Sequence, residues 1–85
     1  MELNRAVAVG RAVGPLRGLE IVDTLTEVPA LRDYHLLPAV RGDLLERLGR
    51  FSEAKRELER AAAMTKNERE RTLLLERAAR LSGED

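Results

Sequence analysis

His35 is the only histidine available for acid–base or metal chemistry, and it follows Asp33 and Tyr34 directly. A zinc site usually takes four cysteine or histidine ligands, and the sequence contains no cysteine. We therefore expect Asp33 to cap a helix and His35 to be a partly buried ring near that helix start. No metal-binding residue is predicted.

The carboxylates are spaced for helix surfaces rather than for catalysis. Three acid–base pairs stand four residues apart, as on exposed helix faces: Asp43–Arg47, Glu46–Arg50 and Glu76–Arg80. Ser52 and Ser82 have no candidate base beside them. Because no nucleophile–base pair or cofactor loop is present, we predict no catalytic residue, no cofactor and no enzyme activity.

Three glycines, Gly10, Gly14 and Gly18, recur every four residues. This spacing matches neither a phosphate loop nor the GxGxxG dinucleotide fingerprint, and Pro15 interrupts any continuous helix. We predict turn or contact glycines and one close helix crossing.

Composition sets the fold class. The 85 residues form one small domain, and only 2% are aromatic, so Leu, Val and Ala must build the core of an all-α protein. The formal charge is zero, without a basic patch that would grip nucleic acid. No apolar run approaches the ~20 residues of a membrane span, and no signal peptide is apparent. We expect a cytoplasmic protein that contacts no membrane.

Periodicity predicts five helices, at about 2–13, 15–26, 33–48, 51–64 and from about 66 to Leu81. Gly14-Pro15, Val28-Pro29 and Gly49-Arg50 separate the first four helices, and Gly83 is a stop for the last. Pro38 lies near the start of the third helix or kinks it. The predicted buried stripes contain Leu3, Ala6, Val7 and Val9; Leu16, Leu19, Ile21, Val22 and Leu25; Leu36, Leu37, Val40, Leu44, Leu45 and Leu48; Ala54, Leu58 and Ala61; and Leu74, Ala78 and Leu81. Leu73 or Leu75 is expected to flank the last of these stripes.

Two caps are predicted for the later helices. Ser52 can cap the fourth helix, and Thr65 with Glu68 can form a capping box before the fifth, with Asn67 as the rival cap.

The stretch 42–65, GDLLERLGRFSEAKRELERAAAMT, resembles a tetratricopeptide (TPR) repeat, a pair of helices of about 34 residues. A shift of thirty-six positions places Ala6 on Gly42 and Val22 on Leu58, so small residues meet small and apolar meet apolar. The resemblance implies antiparallel helix pairs in a short right-handed TPR-like solenoid. Its units are a first pair (1–27), a second pair (28–65) and a capping helix (66–82).

Four segments in order give a more specific resemblance: LNRAVAV (3–9), GPLRGL (14–19), YHLLPAVRGDLLERLGRFSEA (34–54) and NERERTLLLERAA (67–79). Together they resemble the helical C-terminal extension of a subgroup of bacterial extracytoplasmic-function (ECF) sigma factors. The resemblance implies a regulatory or interaction segment of a longer protein that acts in transcription initiation. Its partner would be the sigma domains of the same chain, RNA polymerase or another regulator, and DNA would be read only by the parent's other domains.

TPR geometry indicates a groove lined by the first helix of each pair. The matching positions predict a protein-binding groove that includes Leu36, Ala39, Asp43, Glu46 and Arg47, with Leu3, Val7 and Arg11 from the first pair. Two alternatives remain: a stand-alone scaffold unrelated to transcription, and a homo-oligomerisation module that forms a homodimer through uncovered apolar residues.

Overall fold

The computed structural model describes residues 2–31 and 33–81. In these residues the chain forms five α-helices and no strand, so the predicted all-α class is confirmed. The helices are α1 Glu2–Ala12, α2 Pro15–Leu25, α3 Leu36–Arg47, α4 Phe51–Met64 and α5 Glu68–Leu81, with a 3-10 turn at Pro29–Leu31. The predicted stop at Gly83 lies outside the described residues.

Each helix packs mainly on its neighbours in the sequence. α1 packs on α2, α2 on α3, α3 on α4 and α4 on α5, and α1 also touches α3. The Cα trace measures 27 × 27 × 19 Å along its principal axes. Within residues 2–31 and 33–81, no helix has the length and apolar character needed to cross a bilayer.

Glycines set the geometry of the first helix pair. Gly14 has a φ of 143°, a backbone conformation that favours glycine, and Pro15 follows at the first position of α2. A Cβ at Gly18 would lie 2.8 Å from the Ala6 carbonyl oxygen and 3.0 Å from the Gly10 Cα. The backbones of α1 and α2 are therefore nearly in contact, and the predicted close helix crossing is confirmed.

The turn between α3 and α4 is a Schellman motif around Gly49. Gly49 has a φ of 78° and its N–H donates to the Glu46 carbonyl (3.0 Å), while the Arg50 N–H donates to the Leu45 carbonyl (2.9 Å). These two bonds satisfy carbonyls that the end of α3 would otherwise leave unpaired. The predicted turn at Gly49-Arg50 is confirmed.

A second close crossing joins α3 and α4. A Cβ at Gly42 would lie 3.0 Å from the Leu58 Cγ and 3.3 Å from the Ala54 carbonyl oxygen. Ala54 and Leu58 are both fully buried. A small residue thus stands at the contact in both helix pairs, as the thirty-six-residue shift predicted.

One apolar core runs through all five helices. Its buried members include most of the predicted stripes: Leu3, Ala6, Leu19, Val22, Leu25, Leu37, Leu44, Leu45, Ala54, Leu58, Ala61, Ala62, Leu74, Ala78 and Leu81. The half-buried residues packed against it include Ile21, Val40, Leu48 and Phe51.

Two leucines that were predicted to be buried are exposed. Leu16 is 55% exposed because the buried face of α2 is centred on Gly18 and Val22, and Leu16 points away from that face. Leu36 is 37% exposed because it stands on the opposite side of α3 from the fully buried Leu45.

The predicted helix caps are corrected at three positions. α3 begins three residues after Asp33, so that carboxylate is not its cap, and Ser52 lies inside α4. Asn67 rather than Thr65 caps α5, since its Oδ1 accepts the Glu70 N–H at 3.0 Å. The Thr65 hydroxyl instead accepts the Asn67 N–H (3.2 Å) and donates to the Glu70 carboxylate (2.8 Å).

One predicted ion pair forms differently. Arg50 donates two hydrogen bonds of 2.8 Å to Glu53 rather than pairing with Glu46, because the Gly49 turn has already ended α3. These bonds lower the pKa of the Glu53 carboxyl. The third predicted pair, Glu76 with Arg80, does not form an ion pair among the residues that the structure describes.

Candidate functional site

A cavity of about 250 Å³ opens where α1, α3 and α5 come together. All its lining residues come from these three helices, and α2 and α4 contribute none. The lining residues are Val7, Arg11, Ala39, Val40, Asp43, Leu44, Arg47 and Arg77.

The floor of the cavity is apolar. Val7 comes from α1, and Ala39, Val40 and Leu44 come from one face of α3. Leu44 is only 3% exposed and belongs to the core, whereas the other three side chains are half-buried. The floor can therefore receive an apolar group from outside without disturbing the core beneath it.

Charged side chains surround this floor. Arg77 Nη2 of α5 lies 2.8 Å from Glu46 Oε1 and 3.2 Å from Asp43 Oδ1. The second carboxylate oxygen of Asp43 lies 3.2 Å from Arg47 Nε, which is the predicted i,i+4 pair. These four side chains are 35–45% exposed, so each pair contributes at most about 1 kcal/mol to stability.

Arg11 stands apart from this network. It occupies the last turn of α1, is exposed, and makes no ion pair or side-chain hydrogen bond within the described residues. Among the described side chains, Arg11, Arg47 and Arg77 face the carboxylates of Asp43, which lines the cavity, and of Glu46, at its edge. These five side chains together carry one excess positive charge.

The structure brings most of the predicted groove residues together. Ala39, Asp43 and Arg47 line the cavity, and Glu46 holds Arg77 at its edge. Leu36 lies on the same face of α3 as these residues, one turn earlier, and does not line the cavity.

Three groove residues were predicted on the first helix pair, and two of them line the cavity. Val7 and Arg11 line the cavity, but Leu3 is 6% exposed and belongs to the core. Sequence reasoning missed Arg77, which reaches the cavity from a helix that periodicity treats as a separate cap. The only available signal was its position on α5 one residue before the buried Ala78.

A second cavity of about 200 Å³ lies beside α3 and α4 and includes Arg41, Glu57 and Arg60. Arg41 donates 2.9 Å hydrogen bonds to Asp23 of α2 and to Glu57 of α4. Partial burial lowers the pKa of Arg41, but the bonds and charges of the two carboxylates outweigh it and raise that pKa overall. Because Arg41 joins three helices, we interpret this cavity as part of the packing between helices.

His35 is partly buried, as predicted. Its Nε2 faces the Glu70 carboxylate of α5 but forms no hydrogen bond of ordinary geometry there. Among residues 2–31 and 33–81, no group of three or more His, Cys, Asp or Glu side chains is arranged to hold a metal ion.

Comparison with known proteins identifies a similar bacterial sequence. An uncharacterized protein of Rhizobium meliloti (strain 1021) is 43% identical over 65 residues, which cover 76% of this chain. The chain spans only 15% of that protein's length. No protein-family model matches the sequence, and no solved structure matches it.

Proposed function

We propose that this chain is a TPR-like protein-docking module that serves as the interaction extension of a bacterial ECF sigma factor. Its partner is a protein: the sigma domains of the same polypeptide, RNA polymerase or another regulator. It reads no promoter DNA itself and catalyses no reaction.

The observation that carries the docking function is the cavity lined only by α1, α3 and α5. In a TPR-like array, the first helix of each pair lines the inner face. Here these helices are α1 and α3, and the capping helix α5 adds Arg77 beside them. Two close helix crossings, at Gly18 and at Gly42, support the same two-pair arrangement. Extended inner faces of such arrays hold protein partners.

The link to transcription rests on the ordered segments at 3–9, 14–19, 34–54 and 67–79 that resemble the sigma-factor extension. The match to 15% of a much longer bacterial protein supports a role as one part of a larger polypeptide. The residues encoded upstream of Met1 are expected to contain the sigma domains.

The test replaces Asp43 and Arg47 by alanine in the full-length sigma factor and measures transcription from its target promoter. Both side chains are partly exposed cavity residues, so folding should persist while docking weakens. Lys55 and Glu59 form a partly exposed i,i+4 pair on α4, outside the cavity, and their double replacement is the matched control. Equal transcription from both double variants, with unchanged circular dichroism, would remove this surface from the proposal.

Exposed leucines on α5 favour a second candidate, a homo-oligomerisation module. Leu73 is 55% exposed and Leu75 is 47% exposed. These leucines lie on the two flanks of the buried Leu74. If two copies pair through either flank, light scattering across a concentration series will show a dimer that Leu73→Ser with Leu75→Ser abolishes. A constant monomer mass leaves the docking module as the sole proposal.

A further inference from the structure

We infer that the cavity between α1, α3 and α5 binds a peptide segment that carries one aliphatic side chain and, close beside it, a carboxylate. The aliphatic group occupies the apolar floor and the carboxylate pairs with Arg11. This inference rests on the proposed docking function and names the chemistry of the partner.

The size of the cavity fits one side chain. Its volume of about 250 Å³ is below the ~300–1,000 Å³ typical of sites for small molecules and cofactors. Protein interfaces, in contrast, are often anchored by a single apolar side chain seated in a pocket of the partner. Val7, Ala39 and Val40 offer partly exposed apolar surface for such an anchor.

The charges around the apolar floor favour an acidic group next to the aliphatic side chain of the bound peptide. Asp43 already faces both Arg47 and Arg77, and Glu46 faces Arg77. Arg11 is the cavity arginine left without a carboxylate among the described residues. A guanidinium binds a carboxylate through paired N–H donors, so Arg11 favours an acidic group over a neutral amide.

A basic segment is disfavoured for the same reason. It would have to approach three arginines whose excess charge is positive, and it could gain Asp43 or Glu46 only by displacing Arg47 or Arg77. Like charges placed together across an interface reduce affinity and suppress wrong partners.

The test selects random dodecapeptides displayed on phage against the intact chain. We expect the enriched sequences to combine Leu, Ile, Val or Met with Asp or Glu within one helical turn. A fluorescein-labelled peptide of the enriched sequence is then titrated by fluorescence anisotropy at low and high salt. Its affinity should fall with salt, and replacing its acids by Asn or Gln should weaken binding about tenfold.

Matched variants locate the binding site. Arg11→Gln should weaken the labelled peptide about tenfold, whereas Arg80→Gln, which removes an exposed arginine from the last turn of α5, should leave affinity unchanged. Ala39→Leu should fill the floor and block binding, and Ala63→Leu, at an exposed position on α4, should not. Circular dichroism checks that every variant is folded.

Four outcomes overturn the inference while leaving the docking function to its own transcription test. The enriched peptides are basic or carry no acid; the peptide binds Arg11→Gln as tightly as the unaltered chain; or no sequence is enriched. A second copy of the chain occupying the cavity, seen as self-association lost on Ala39→Leu, also overturns it.

Discussion

Among the described glycines, Gly18 is the one most tightly enclosed by backbone atoms. A Cβ there would meet three backbone atoms, the Ala6 oxygen at 2.8 Å and the Gly10 Cα and N at 3.0 and 3.2 Å. Backbone cannot rotate away as a side chain can, so the helices must separate. Gly18→Ala should therefore destabilise the fold by about 1–3 kcal/mol, more than the ~0.5–1 kcal/mol that alanine gains within a helix.

Gly10→Ala is the matched control for this prediction. The atom its Cβ would contact closely is the Cδ2 of Leu44 at 2.9 Å, the far end of a flexible side chain. We expect a change below about 1 kcal/mol, since propensity offsets the small rearrangement. Urea unfolding followed by circular dichroism measures both variants, and equal midpoints would show that the crossing is looser than the structure indicates.

Leu58 and Leu16 provide a direct test of the helix faces. Leu58 is fully buried beside Gly42, so Leu58→Ala should cost about 2–5 kcal/mol, enough to unfold much of so small a domain. Leu16 is 55% exposed, and Leu16→Ala should change stability by less than about 0.5 kcal/mol. Periodicity alone predicts a large loss at both positions, so comparable losses in thermal unfolding would contradict the structure.

Two leucines that were wrongly predicted to be buried show a limit of the periodicity argument. Leu16 and Leu36 each stand in the first turn of a helix, where a leucine fits the apolar pattern of either flank. The close crossing at Gly18 sets how α2 is rotated about its own axis. Because that crossing is a contact with α1, the sequence of α2 alone does not predict the rotation. Leu58, Ala61 and Ala78 were predicted correctly because they lie mid-helix within an uninterrupted stripe.

Arg71 fixes α5 to the end of α4. Its Nε donates to the Ala62 carbonyl at 3.1 Å and its Nη2 to the Thr65 carbonyl at 2.7 Å, and its Nη1 pairs with Glu68. A helix end leaves its last carbonyls without intrahelical partners, and Arg71 supplies donors to two carbonyls there. Arg71→Lys keeps the charge but cannot reproduce this fork, so it should lower the free energy of unfolding by about 1–3 kcal/mol.

Arg69→Lys is the control for this change. Arg69 is exposed in the same first turn of α5 and makes no ion pair or hydrogen bond with another described side chain. Its replacement should change the free energy of unfolding by less than about 0.5 kcal/mol, as measured by denaturant titration. A loss confined to Arg69→Lys would place the junction of the two helices elsewhere.

Elements were easier to predict than the contacts between them. Pro15, Gly49 and the leucine spacing identify helix boundaries through local backbone chemistry. Arg77 reaching Asp43, thirty-four residues away, depends on how α5 docks, and nothing local encodes that angle. The cavity was accordingly predicted only on its α1 and α3 sides.

In the whole molecule, each helix packs mainly on the helices next to it in the chain. Among the described residues, every extensive helix contact joins neighbours in the chain. The contacts beyond neighbours, such as those between α1 and α3 and between Arg77 of α5 and Asp43 of α3, are small. In such an arrangement, the free energy of unfolding is close to the sum of the intrinsic stabilities of the units and the energies of the interfaces between adjacent units. α3 and α4 have a packed neighbour on both sides along the chain, whereas α1 and α5 lie at its ends.

Native-state hydrogen exchange should therefore show a gradient. Amides near Leu45 in α3 and Leu58 in α4 should exchange slowest, and those of α1 and α5 should open with smaller free energies. Gly18→Ala, which loosens the α1–α2 crossing, should speed exchange in α1 and α2 while leaving the α4 amides near their original protection. Mass spectrometry of exchanged fragments resolves these regions. Uniform acceleration across all five helices would mean that the domain opens as one cooperative unit and that interfaces between adjacent helices do not act separately.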